Sequence, residues 1–234
     1  MAPPAFSPVG LRFENIDKRY GGLHALRGLS LTVAPGECAV FAGRNGSGKT
    51  TLLRVAARLV RPSRGSLRFS NLSSGDEENP VRPGFVAHAT MVYDELTAEE
   101  NLLLFARLQA VSRPECRVEA LLEEVGLSDR RASLVRTFSR GMRQRVAIAR
   151  ALLNEPSVVL FDEPATGLDP QGVGWFAEKV RGLRDSGRTV LMSLHGESQI
   201  SNLATRAIGL DAGLVVADTR TGADFRSILT FANA

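Results

Sequence analysis

No apolar run in this 234-residue chain approaches the ~20 residues that a bilayer-spanning helix needs. A membrane-spanning helix is therefore excluded, and any membrane role is expected to come through a partner. The first ten residues, MAPPAFSPVG, carry neither a cationic start nor an apolar stretch. A secretory signal is not expected, and the chain is read as soluble and cytoplasmic by itself. Cysteine is scarce. Cys38 and Cys116 stand far apart and match no metal-ligand spacing, so two reduced thiols are expected rather than a disulfide. A strong excess of one charge is also missing: the net charge is +4, and the basic residues, nearly all arginines, are interspersed with acids. That pattern favours an ordinary solvated surface that also handles an anionic ligand, and a nucleic-acid partner is not expected.

What is present is enough apolar material for a core. Apolar residues make up 44% of the chain and charged residues 23%, which excludes a disordered chain. Residues 11–33 show short alternating runs such as Leu29, Leu31 and Val33, which predict strands of an antiparallel sheet. Glu37–Ala42 predicts a buried strand, followed by a glycine-rich turn and a helix over Thr50–Leu59. Residues 71–84 are rich in Ser, Asn, Asp, Glu, Gly and Pro and predict a loop. From Thr97 to Asn154 the pattern is helical, with Thr97 and Glu100 spaced as a capping box, and predicts a helical subdomain. Beyond Pro156, a strand at Ser157–Phe161, a helix at 170–186 and a strand at Arg188–Ser193 predict a largely parallel, doubly wound sheet.

The turn after the first buried strand reads Gly43-Arg44-Asn45-Gly46-Ser47-Gly48-Lys49-Thr50, the pattern G-x-x-x-x-G-K-[ST]. Glycines let backbone amides turn inward around phosphate oxygens, and the helix that follows points its positive end at the same anion. Strand before and helix after are the context that such a loop requires. Lys49 is expected to reach the β- and γ-phosphates and the Thr50 hydroxyl to ligate magnesium.

The strand Ser157-Val158-Val159-Leu160-Phe161 ends in Asp162-Glu163. Beside a phosphate loop, Asp162 can hold magnesium directly or through water, and Glu163 can orient or deprotonate the attacking water. Taken alone the pattern is weak, because many strands end in a solvated acid. Thr137-Phe138-Ser139-Arg140-Gly141-Met142 then opens a helix with a hydroxyl and free amides at its positive end. Two readings stand there: an ordinary capped amphipathic helix, or a phosphate contact made in trans.

Together these residues resemble the ATP-binding cassette (ABC) family over essentially the whole chain. GRNGSGKTT at 43–51, which includes Thr51, is similar to the family's phosphate loop, and Phe138-Ser139-Arg140-Gly141-Met142 is similar to its Leu-Ser-Gly-Gly-Gln signature. VVLFDE followed by Gly167-Leu168-Asp169 resembles the acidic strand and D-loop. His195 stands after Thr189–Ser193 where the family has its switch histidine, and Tyr20 matches the aromatic that stacks on adenine, although ordinary strand packing would also account for a tyrosine there. The resemblance implies an α/β fold: a P-loop NTPase (RecA-like) core with a mostly parallel sheet, an N-terminal antiparallel β subdomain and an inserted α-helical subdomain. The boundaries expected are 1–88 and 155–234 for the core and 89–154 for the helical subdomain. It also implies ATP and Mg2+ as cofactors and a head-to-tail dimer in which Ser139 and Gly141 close on the γ-phosphate held by the other copy. Glu163 would act on the water, and His195 would contact the γ-phosphate. One departure stands out: Gly84-Phe85-Val86-Ala87-His88 puts His88 where the family usually has glutamine. Its imidazole could accept a hydrogen bond from water or ligate magnesium, a role at the catalytic site resting on position only.

The single cassette, with no coiled-coil insertion, resembles a transporter subunit rather than a translation or chromosome-maintenance ATPase. Residues 89–110 look like the segment that grips integral membrane permease subunits, which would place the protein at the cytoplasmic face of the cell membrane. His88, LTAEENL at 96–102 and Asp-Pro-Gln-Gly-Val at 169–173 look like haem-exporter ATPases of cytochrome c maturation. A lipid, drug or polysaccharide exporter is the rival reading, and a soluble ATPase of cofactor or iron–sulfur assembly is an alternative of another class. A catalytically dead cassette is disfavoured by Lys49, Asp162, Glu163 and His195.

Overall fold

The computed structural model describes residues 8–70, 81–194, 201–220 and 228. In chain order the elements are β1 (Gly10–Tyr20), β2 (Leu23–Val33), β3 (Cys38–Ala42), α1 (Lys49–Ala56), β4 (Arg64–Ser70), β5 (Gly84–Val86), α2 (Ala98–Leu108), α3 (Pro114–Glu124), α4 (Arg140–Ala151), β6 (Val158–Asp162), α5 (Pro170–Asp185), β7 (Thr189–Ser193), β8 (Arg206–Asp211) and β9 (Leu214–Thr219). They form an antiparallel sheet ordered β2-β1-β4 and a larger sheet ordered β5-β6-β7-β3-β8-β9. The first five strands of the larger sheet run parallel, and β9 pairs antiparallel with β8.

The continuous apolar strands of the sequence are explained by burial on both faces. In β3, Cys38, Val40 and Ala42 join one apolar cluster, while Ala39 and Phe41 join a second. β6 alternates likewise, with Val159 and Phe161 on one side and Val158 and Leu160 on the other. The first cluster takes in α2, α3, α4 and α5, and the second takes in α1 and the inner face of the antiparallel sheet. The parallel sheet is therefore a middle layer. Each fully buried Leu or Phe along it stabilises the fold by about 1.5–3 kcal/mol.

Local chemistry sets where the helices begin. The Thr97 hydroxyl accepts from the Glu100 amide (3.1 Å), and the Glu100 carboxylate accepts from the Thr97 amide (2.8 Å), completing the expected capping box. Buried Asn101 ties the preceding turn down by accepting from the Tyr93 amide and donating to the carbonyls of Tyr93 and Thr97. Asp169 caps α5, with Pro170 filling the first turn where a missing N–H costs nothing. Two expectations are corrected. α1 ends at Ala56, not Leu59, because Arg58 takes a left-handed backbone (φ 58). The expected loop over 71–84 ends sooner, since Gly84 already pairs with Val159 in β5; its residues 71–80 lie outside the described residues.

The two sheets are pinned at their junction by buried Arg206, which donates to both Asp218 oxygens (2.7 and 2.6 Å), to Glu37 (3.2 Å) and to the Thr32 carbonyl (2.7 Å). The Asp218 hydrogen bonds, more than the attraction to Glu37, raise the Arg206 pKa above its ordinary value. Both cysteines are free thiols, and burial pushes that of Cys38 up to about 12. No described helix is long and apolar enough to cross a membrane.

Candidate active site

The register of three parallel strands assembles the site. Phe41 lies level with Ser193, and Ser193 with Asp162, so β3, β7 and β6 end on one line. The turn Gly43–Gly48 leaves β3 at that line, at the carboxyl edge of the sheet where open α/β sheets bind ligands. Gly43 is required there: its φ is 151°, and a Cβ would run into the Leu210 carbonyl. Arg44, Asn45 and Gly46 are exposed at the rim, Ser47 and Lys49 are buried, and Thr50 and Thr51 begin α1 half-buried.

Lys49 donates to the Gly43 carbonyl (2.6 Å) and the Arg44 carbonyl (3.0 Å), which curls the turn around its ammonium. Burial lowers the Lys49 pKa from 10.5, and the nearby carboxylates of Glu163 and Asp162 partly oppose that shift. The Ser47 hydroxyl is buried without a partner among the described residues. An orphan donor inside a ring of amides, beside a buried cation, is a fit for phosphate oxygens. Thr50 Oγ1 donates to Asp162 Oδ1 (2.9 Å), which puts side by side two hard oxygens of the kind that could hold magnesium.

Ser193 escaped the sequence reading. Its hydroxyl donates to Asp162 Oδ1 (2.8 Å) and accepts from the Glu163 amide (2.9 Å), so one side chain holds the Asp162 carboxylate and the Glu163 backbone. The only signal in the sequence was a polar residue at the end of an apolar strand. Glu163 turns out of the sheet with a left-handed backbone (φ 51), a strained conformation of the kind found at functional sites. His88 is brought to it by register. Gly84, Phe85 and Val86 pair with Val159, Leu160 and Phe161, so two residues further on His88 meets Glu163. Its Nδ1 lies 3.3 Å from Glu163 Oε2, a contact with the acid rather than with the Thr50–Asp162 pair.

The remaining residues lie elsewhere. Tyr20 stands 43% exposed at the end of β1, with the Lys18 ammonium 4.8 Å from its ring centre. Ser139 caps α4 by accepting from the Met142 amide (3.2 Å). Ser139, Gly141 and Asp169 line a cleft of about 290 Å³ with Leu168, Gln144 and Trp175, and no residue of the phosphate loop lines it. Asp169 Oδ1 accepts from the Gly172 amide (2.7 Å), so its first task is to cap α5. His195 lies outside the described residues.

A phosphate loop, a helix-capping serine in a separate cleft and an Asp-Glu pair form one constellation. The family model for ABC transporters matches residues 26–166 of the chain. The chain belongs to the ABC transporter family. It is an ATP-binding, ATP-hydrolysing subunit of that family. The ABC transporter ATP-binding protein NatA of Bacillus subtilis is 38% identical over 197 residues, covering 82% of this chain and 80% of that protein. The daunorubicin resistance ATP-binding protein DrrA3 of Streptomyces coeruleorubidus is 39% identical over 214 residues, 90% of this chain and 68% of that protein. The Nod factor export ATP-binding protein I of Paraburkholderia xenovorans is 35% identical over 214 residues, 90% and 70% of the two. Among solved structures, an ATP-binding cassette of an ABC transporter in its ADP conformation matches this ABC subunit with a TM-score of 0.79 at 26% identity, covering 96% of each chain. A dimeric cassette in a post-hydrolysis state, bound to ADP and Pi, gives 0.78 at 28% identity over 91% of this chain and 99% of that one.

Proposed function

We propose that this subunit drives an ABC exporter as a head-to-tail dimer docked on permease subunits at the cytoplasmic face of the membrane. The observation that carries this reading is the separation of the two half-sites. Lys49, Thr50, Asp162 and Glu163 converge at one sheet edge, whereas Ser139 and Gly141 open into a cleft that contains no phosphate-loop residue. A second copy would bring the two halves together around ATP.

In this reading the amides of 43–51, Ser47 and Lys49 hold the triphosphate, and Tyr20 stacks on the base. Thr50 and Asp162 would hold magnesium, which would supply positive charge to offset that developing on the phosphates in the transition state. Glu163, held at its backbone by Ser193, orients the attacking water and takes its proton. Ser139 and Gly141 of the partner close the site, with Asp169 and His195 at its border. The core is 1–88 with 155–234, and 89–154 is the helical subdomain that carries Ser139 to its twin.

The permease is expected to dock near residues 89–110. Met91, Tyr93 and Leu108 are exposed there, and Tyr93 stacks on Phe105 with ring centres 6.0 Å apart. His88 sits between that segment and Glu163, and its role is to pass permease contact to the acid. His88→Ala is expected to lower ATPase coupling to transport, and unchanged rate and coupling would remove this role.

For cargo, the relatives named for daunorubicin resistance and Nod factor export support an exporter of the lipid, drug or polysaccharide class. The haem-exporter reading keeps His88 but loses weight at its other two motifs. Residues 96–102 are accounted for by the capping box and Asn101, and 169–173 by the cap of α5, so neither bears on cargo. The assembly ATPase without transport has no supporting relative among those named.

Ser139→Ala tests the composite site. ATP binding by dilute monomer is expected to stay normal, while ATP-driven dimerisation is lost. Because Ser139 also caps α4, about 1 kcal/mol of stability goes with it, so the comparison is made below the melting transition. Dimerisation at wild-type strength would defeat the composite reading.

A further inference from the structure

Arg140 stands between Ser139 and Gly141 as the first residue of α4, where the family's signature has a glycine. The placement is electrostatically unfavourable. A cation at the positive end of a helix opposes the dipole, and no acid occupies the first turn of α4 to offset it. Arg143, in the same turn, is neutralised by Asp94, with Nη1 2.9 Å from Oδ1. Arg140 is exposed and forms no ion pair or hydrogen bond among the described residues.

Yet its guanidinium is seated. It lies over Gly167, where a Cβ would come within 2.6 Å of Cζ, and the φ of +73° at that glycine already favours a residue without one. Gly167 belongs to the turn that runs from Glu163 to Asp169. That contact sets the guanidinium beside Gly167 without cancelling its charge. Gln144, 6% exposed and without a hydrogen-bond partner among the described residues, lines the cleft beside Ser139 and Gly141. A helix end and an unpartnered amide on one cleft, with the uncompensated cation of Arg140 between two residues that line it, are matched by an oxyanion brought from outside the chain.

We propose that Arg140 donates hydrogen bonds to the γ-phosphate held by the partner protomer, as the charged neighbour of Ser139. This rests on the composite-site reading above. A guanidinium keeps its charge at every working pH and offers paired donors to phosphate oxygens, which a glycine at this position cannot.

The test uses the full chain carrying Glu163→Gln, so that bound ATP persists. Dimer dissociation constants in MgATP are measured by analytical ultracentrifugation for Arg140, Arg140→Lys and Arg140→Ala, with monomer ATP affinity measured at low protein concentration. Arg140→Ala is expected to weaken the dimer about 10²–10⁴-fold, from ten- to a hundredfold at each of its two sites, the range for charge-assisted hydrogen bonds, with monomer affinity unchanged. Arg140→Lys is expected to restore part of the loss, because lysine keeps the charge but not the paired donors. An alanine variant that dimerises normally overturns the proposal, as does a lysine variant no better than alanine. Ser139→Ala on the same background separates the two readings: if it abolishes the dimer while Arg140→Ala does not, only the role of Arg140 falls.

Discussion

Glu163→Gln is expected to lower ATP turnover about 10²–10⁴-fold, the usual contribution of a general base, while ATP binding persists. The substitution keeps the shape of the side chain and a carbonyl acceptor but removes the basic carboxylate. The backbone is expected to stay in place, since the Glu163 amide is held by Ser193 and the residue follows the end of β6 at the edge of the sheet. Triphosphate that is bound but not cleaved should hold the two protomers together, so a long-lived ATP-dependent dimer should elute early on size exclusion. The contact with His88 sharpens the expectation, because an amide can still meet the imidazole. Turnover at the wild-type rate would show that Glu163 is not the base.

Lys49→Ala is expected to weaken MgATP binding on the order of 10²–10⁴-fold, from the loss of two charge-assisted contacts at about 1.5–3 kcal/mol each. The same ammonium that now donates to the Gly43 and Arg44 carbonyls is the group that would meet the β- and γ-phosphates. Isothermal titration measures the loss directly, and affinity within a factor of a few of wild type would contradict it. The same residue sets a pH dependence whose sign follows from its surroundings. Burial lowers the Lys49 pKa from 10.5, so the free enzyme loses this proton at a lower pH than an exposed lysine would. Since kcat/KM reports the free enzyme, its alkaline limb is expected below pH 10.5. A limb at or above that value would mean that the ammonium is not desolvated, or that another group governs binding.

Much of this site was legible because its chemistry is local. The phosphate loop needs glycines, a lysine and a hydroxyl within eight successive residues, and the caps of α2 and α4 need a hydroxyl three residues from an amide. Such requirements are met inside one turn, so spacing alone reveals them. The apolar strands were legible for a related reason: burial on both faces leaves no polar position to mask them.

Three features were decided by tertiary structure. Ser193 meets Asp162, and His88 meets Glu163, only because parallel strands far apart in sequence align in one register. Arg206 becomes a buried four-bond anchor only where β2, β8, β9 and the turn before β3 come together. Arg140 reads as an ordinary helix residue until the turn at Gly167 folds beneath it. The sequence by itself determined the loop, the acids, the helix caps and the alternation of strand and helix, because each is written in neighbouring residues. The partners of those groups, and the separation of Ser139 from the phosphate loop, depend on strand order and on the layer each helix joins, which no local pattern encodes.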